Sequence, residues 1–326
     1  MNRNAKDNLK PPEEPNSTHR VGVVKMKTDT FIIETENREE GIRKLLDRFD
    51  LREFKGKKVA FKANYNSADP FPASTHLDTL RKLVNGLKKA GAEEMTLAER
   101  SGMGNTRSVL EQRGVTKLAA ELGFKILVLD ELAEEGWVRL KPKGSHWRRG
   151  FLLAEVFHEA DKVVQTCCLK THRFGGHFTL SLKNSVGLVA RYDPQDGYDY
   201  MAELHSSKNQ RLMIAEINQT YETHLIIMDA TKAFVRGGPE SGDLVNPNVI
   251  LAGDNRVAMD AVGVAILRLF GTTPEVSEGR IFQQEQIARA AKLNMGVQST
   301  KDIQLIPIDA ESERFAQKIE RIFEGE

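Results

Sequence analysis

Cysteine is nearly absent from this sequence: 326 residues contain two, and they are neighbours, Cys167 and Cys168. A vicinal pair makes a poor structural staple, so a disulfide framework is excluded and a reducing compartment is favoured. An iron–sulfur cluster needs more thiolates than this chain has, which excludes that cofactor. An excess of one charge is missing too. Lys and Arg total 47 against 46 Asp and Glu, a formal charge of +1, so no global field selects nucleic acid or an acidic membrane, and any preference for anions must be local. No stretch approaches the ~20 apolar residues of a membrane span, and the first twenty residues, MNRNAKDNLKPPEEPNSTHR, lack the apolar run of a signal peptide. The expectation is a soluble cytoplasmic protein with a disordered segment over 1–20 and no membrane partner.

What is present is a repeated alternation of short β-rich runs and longer helical patterns. VGVVKM (21–26), KKVAFKA (57–63), EEMTLAE (93–99), KILVLD (125–130), KVVQTCCLK (162–170), HLIIMDA (224–230), NVILAG (248–253) and DIQLIPID (302–309) predict strands. Between them REEGIRKLLDRFD, HLDTLRKLVNGLKKAG, TRSVLEQRG, VTKLAAELG, FLLAEVFHEAD, QRLMIAEINQTYE, RVAMDAVGVAILRLFG and GRIFQQEQIARAAKL predict helices, with one more at the end of the chain. This order specifies an α/β protein whose mostly parallel sheet is flanked by helices. Residues 21–326 form one domain, either a single large unit or two intimately joined lobes with a cleft; the polar span 190–209 shows no clear element.

In open α/β sheets ligands gather at the carboxyl ends of the strands, and those positions are unusually polar here. Lys62, Asn64 and Asn66 follow one strand, and Glu99 and Ser101 close and follow another. Lys170, Thr171 and His172 follow the cysteines, and Asp229 leads into Arg236, Gly237 and Gly238. Asp254 and Asp260 follow NVILAG, as functional groups or as helix caps. Gly102 and Gly104 match neither a dinucleotide fingerprint nor a Walker loop, so SGMG reads as a plain turn before a phosphate cradle. His172 and His177 lie five apart, no standard metal spacing, with Asp229 or His205 as the distant partners that a divalent metal would require. The cysteine pair reads as small core residues rather than reactive thiols. KPKGSHWRRG (141–150) reads as a solvated basic loop, with Trp147 keeping a nucleic-acid option open.

The segment 169–187, LKTHRFGGHFTLSLKNSVG, resists a purely structural reading. If TLSLKNSVG opens a helix, Thr179 or Ser181 caps it and Lys183, Asn184 and Gly187 follow. Lys183 near Lys170 and His172 would be electrostatically strained unless an anion sat among them, which is what a carboxylate or phosphate site, or a lowered lysine pKa, would exploit. The competing reading is a set of snorkelling surface lysines.

The run formed by Lys170, Thr171, His172, Gly176, Leu180, Ser181, Leu182, Lys183, Asn184 and Gly187 resembles the hallmark of the domain-of-unknown-function 362 family. Lys62 with Asn64, Glu99 through Gly102, Asp229 followed by Gly237, Gly238 and Pro239, and the segment from Asp254 to Asp260 agree with it. Many members of that family carry a ferredoxin-like cysteine cluster; this chain lacks it, which puts an electron-transfer role in doubt. The layout is also similar, more distantly, to the nickel-pincer lactate racemase fold.

The expectation for function is a cleft that binds a small anionic ligand. Lys170, His172 and Lys183 would be catalytic, and Lys62, Asn64, Glu99, Ser101, Asn184, Arg236, Gly237 and Gly238 would bind the ligand. A divalent metal would take His172, His177 and Asp229. An isomerase, racemase or lyase is the enzymatic form of this reading. A non-catalytic sensor or carrier is the second form, and a nucleic-acid partner using Lys141 to Arg149 is the third.

Overall fold

The computed structural model describes residues 27–326, so the expected disordered segment at 1–20 and the expected strand at 21–26 lie outside the described residues. Twelve strands occur among them: β1 (Thr28–Glu34), β2 (Lys58–Lys62), β3 (Glu94–Glu99), β4 (Lys125–Val128), β5 (Trp137–Leu140), β6 (Phe151–Ala154), β7 (Lys162–His172), β8 (His177–Thr179), β9 (Leu225–Gly237), β10 (Gly242–Val245), β11 (Val249–Gly253) and β12 (Ile303–Pro307). Eight form the main sheet in the order β12-β1-β11-β9-β7-β2-β3-β4. The pairs β1–β12, β7–β9, β2–β7, β2–β3 and β3–β4 are parallel, and β11 runs against both neighbours. The short strands β8 and β10 pair antiparallel with the ends of β7 and β9, while β5 and β6 form a separate ribbon.

The long apolar runs in β7 and β9 follow from burial on both faces, as a parallel sheet covered by helices requires. Side chains alternate across the sheet. Phe61, Leu97, Val164 and Ile227 join one core, which is closed by Leu80, Leu83, Val84 and Leu87 at helical spacing on the helix Leu77–Lys89. On the opposite face Cys167, Leu169 and Met228 pack beneath the helix Arg256–Leu269. That helix is buried almost all round, which accounts for its nearly unbroken apolar sequence. A third cluster on this face joins Ala60, Ala98 and Val163 to Trp147, Phe151 and Tyr200.

Four local expectations need correction. FLLAEVFHEAD is not one helix: Phe151–Ala154 is β6 and only Glu155–Glu159 is helical, because four consecutive buried apolar residues fit either element. Strands β1, β5 and β10 carry too little alternation to stand out. Strand β9 continues seven residues past Ala230, to Gly237. The span 190–209 contains the helix Tyr200–Ser206, whose cap Asp199 accepts from the Ala202 N–H at 2.8 Å.

Candidate ligand-binding cleft

Because β7, β2 and β3 lie side by side and parallel, Lys62, Glu99, Lys170 and His172 arrive together at the carboxyl ends of the strands. A cavity of about 340 Å³ opens there. Its floor is a buried polar lattice. The Lys62 ammonium donates to Glu99 Oε1 at 2.5 Å and to the Ala63 carbonyl at 2.5 Å. The Lys170 ammonium, fully buried, donates to Asn64 Oδ1 at 2.7 Å and to the Ala73 carbonyl, two neutral acceptors. Asn184 bridges the floor: its amide donates to the Thr166 carbonyl at 3.2 Å, and its Oδ1 lies 3.4 Å from both Lys62 Nζ and Asn64 Nδ2.

Lys183 and Asn184 reach the cleft on a short helix, Ser181–Asn184, that follows the β7–β8 hairpin. Neither Thr179 nor Ser181 caps it, contrary to the sequence expectation; the cap position is Leu180, whose apolar side chain offers no acceptor. The acceptor comes from the helix Arg256–Leu269. Asp260 Oδ1 takes the N–H groups of Ser181 at 2.7 Å and Leu182 at 3.2 Å. Ser181 Oγ donates to Gln165 at 2.7 Å, and Asn218 Nδ2 donates to the Leu182 carbonyl at 3.1 Å. The segment is thus clamped by buried groups from three other elements, and Asp260 serves as a remote cap.

Two glycines let side chains approach the backbone. A Cβ at Gly176 would lie 2.5 Å from Lys183 Cε and 3.1 Å from His172 Nδ1, so those two side chains converge on this turn. A Cβ at Gly187 would lie 2.7 Å from Lys62 Cε and 3.2 Å from Glu99 Oε1. Any larger residue would drive into the charged floor.

Electrostatically the cleft holds more cation than anion. Lys62, Arg100, Lys170, Lys183 and Arg191 line it against Glu99 and Asp199. The Arg100 guanidinium is buried against the Val189 and Val186 carbonyls at 2.8 and 3.0 Å, with no carboxylate bonded to it among the described residues. Lys183 has no hydrogen-bond or ion-pair partner among the described residues. Burial first, then the charges of Lys170 and Arg100, bring its ammonium down to about 7. Burial likewise lowers Lys170 and, against the attraction of Glu99, lowers Lys62, while raising Glu99 against the attraction of Lys62. His172 is held well below the usual histidine range by burial and by Lys183 and Lys170, so its ring is neutral, and its Nδ1 is buried without a partner among the described residues. The same holds for Glu99 Oε2 and Thr179 Oγ1.

Of the residues expected at the site, Lys62, Asn64, Glu99, Lys170, Lys183 and Asn184 line the cavity, and His172 stands behind Gly176 beside Lys183. The others are engaged elsewhere. Ser101 donates its hydroxyl to the Tyr65 carbonyl at 2.6 Å, and the Gly102 N–H is taken by Asn66, so SGMG is a turn. Arg236 is exposed and 3.7 Å from Asp243; Gly237 and Gly238 turn β9 into β10, the Gly238 N–H donating to the Ser241 carbonyl at 2.7 Å.

Asp229 falls in mid-strand because β9 is longer than expected. Its carboxylate accepts from Arg38 at 2.5 Å, Thr79 at 2.7 Å and Thr231 at 2.8 Å. His172 and His177 pair across the hairpin, but no group of three or more His, Cys, Asp or Glu side chains placed to hold a metal ion occurs among the described residues. His172, His177 and Asp229 therefore do not form the expected ligand set. In the basic loop Lys141, Lys143 and Arg148 are exposed, as expected, but Trp147 is buried with its Nε1 donating to the Met213 carbonyl at 3.1 Å, and Arg149 pairs with Asp193 at 2.7 Å and Asp196 at 2.8 Å. Its aromatic face is not available to a base.

Sequence reasoning missed the wall formed by Met103, Phe174, Arg191, Asp199 and Met201, and named its sixth member, His205, only as a possible metal ligand. Arg100 could have been found from its place after β3; the helix Tyr200–Ser206 carried no signal.

The family model described as "Domain of unknown function (DUF362)" matches residues 59–265, well over half of the chain and every residue of the floor described above. The chain belongs to the DUF362 family. Among solved structures, the lactate racemase apoprotein from Thermoanaerobacterium thermosaccharolyticum is similar at 13% identity and a TM-score of 0.43, over 71% of this DUF362 chain and 54% of the other. The DUF362 chain thus spans about half the length of that protein. No curated protein matches it.

Proposed function

We propose that the cleft binds a small anionic molecule, a carboxylate or a phosphate, and that the protein is an enzyme that moves a proton on it, as an isomerase, racemase or lyase does. One observation carries this reading: Lys183 faces the cavity without a partner among the described residues, close to Lys170, whose ammonium touches only neutral acceptors. A buried lysine and a half-buried one beside it, neither paired with a carboxylate among the described residues, are stabilised together by an anion that accepts from both. His172 and Lys183 then supply the acid/base pair. The amine poised near neutrality can give and take a proton at physiological pH, the neutral imidazole beside it offers an acceptor nitrogen, and both sit at the turn around Gly176.

The test is a panel of small carboxylates and phosphate monoesters. Each is incubated with the protein in D2O and followed by proton NMR for exchange at the carbon beside the anionic group, with melting temperature recorded in parallel. The expected result is stabilisation by at least one class of anion, with exchange that Lys183→Met and His172→Asn abolish. Stabilisation without exchange would leave a non-catalytic carrier or sensor; no stabilisation by any anion would remove the anion site itself.

A further inference from the structure

The cleft has a polarity gradient. Its floor is charged and closed, with Glu99 and Lys170 at 0% exposure, whereas Met103 and Phe174 at its mouth are 43% and 47% exposed. Val186, Met201 and Pro239 continue the apolar wall between them. Among the described residues five large hydrophobic side chains are exposed. Two of them, Met103 and Phe174, line this cleft, and a third, Tyr192, adjoins the lining residue Arg191, whose guanidinium lies 5.2 Å from its ring. Phe174 has two ring contacts, the Arg173 guanidinium 4.3 Å from its ring centre and the His172 ring edge-on at 5.7 Å. Exposed apolar surface concentrated beside a polar pocket marks a binding surface rather than scattered solvent-facing residues.

Size agrees with this. A cavity of about 340 Å³ lies at the lower end of the range occupied by organic ligands, roughly 300–1,000 Å³, and would hold on the order of ten waters around a bare acetate or phosphate.

We infer that the ligand is an organic anion with an apolar body, its carboxylate or phosphate on the lysines of the floor and its hydrocarbon or aromatic portion against Met103, Phe174 and Met201. The inference rests on the anion reading of the cleft and adds the class of molecule that fills it.

The experiment is a calorimetric titration of the parent protein with acetate, butanoate, hexanoate and 3-phenylpropanoate, and with phosphate and hexyl phosphate, at fixed pH and ionic strength. Affinity should rise about threefold to fourfold for each methylene that enters the apolar wall, levelling off when the cleft is full. The double variant Met103→Ser/Phe174→Ser, which changes two exposed side chains and so keeps the fold, should flatten that slope without abolishing binding of the short anions. Equal affinity for acetate and hexanoate, and for phosphate and hexyl phosphate, would overturn the inference while leaving the anion site standing. A slope unchanged in the double variant would overturn it too, by placing the tail elsewhere. Failure of every anion to bind would remove both readings.

Discussion

Replacing Lys183 with methionine keeps most of the aliphatic stem and deletes the charge, which separates binding from folding. The ammonium lines the cleft without a partner among the described residues, and burial together with Lys170 and Arg100 brings it from an ordinary 10.5 to about 7. At about 1.4 kcal/mol for each pKa unit, the charged lysine opposes folding by up to a few kcal/mol. The sign follows from proton counts. Between about pH 7 and 10.5 the unfolded chain holds a proton that the folded chain does not, so the lysine's penalty is full below pH 7 and fades as pH rises through that window. Lys183→Met should therefore melt at the same temperature as the parent or higher at pH 6, with the difference shrinking towards pH 10. Each kcal/mol corresponds to about 2 °C in a chain of this size. Binding should move the opposite way. Loss of a charge-assisted hydrogen bond to an anion costs about 1.5 to 3 kcal/mol, roughly one to two decades in affinity, and the parent's own affinity should fall as pH rises above 7. Thermal melts at pH 6, 8 and 10, with and without phosphate and small carboxylates, measure both effects. A variant that melts several degrees lower at pH 6, or one that gains as much from anions as the parent, would refute the reasoning.

Asp260 should behave as a remote cap with its own pH signature. Burial raises its carboxyl from 3.8 to about 8, so between those values the folded chain holds an extra proton and this group's contribution to stability falls as pH rises; Asp260→Asn should remove that component from the pH profile of urea unfolding. Asp260→Ala leaves the Ser181 and Leu182 N–H groups buried without an acceptor, a loss of about 1 to 3 kcal/mol each, and an unchanged unfolding midpoint would rule out the capping role. Cys167 and Cys168 are free and buried, and burial raises both thiols, Cys168 to about 11. A bulky thiol reagent should therefore label neither faster than the protein unfolds, and rapid labelling of the native protein would count against their core position.

The floor of the cleft was accessible to sequence reasoning because it depends on a local rule. Lys62, Glu99 and Lys170 each end or nearly end an apolar run, and parallel strands bring such ends together. The same rule failed at Asp229, where the strand does not stop after HLIIMDA but runs on through ATKAFVRG, leaving the carboxylate level with Cys168 and in the grip of Arg38 and Thr79. Trp147 misled for a related reason. Its neighbours read as solvated and basic, yet Asp193 and Asp196, 44 and 47 residues away, pair with Arg149, Glu216 accepts from the His146 N–H across 70 residues, and the indole enters the core.

By itself the sequence determined the α/β class, the mostly parallel sheet and the cluster of lysines and asparagines at its edge. Strand and helix periodicities, and the polarity of residues that follow a strand, are written within ten or so consecutive residues. Tertiary structure alone decided what those residues face. Asp260 caps a helix 79 positions away, Lys183 is left without a partner while Lys62 finds Glu99, and Met103 and Phe174 meet across a cavity that neither segment encloses. Hydrogen bonds and burial depend on which distant segments approach within a few ångströms, and no local pattern encodes that approach.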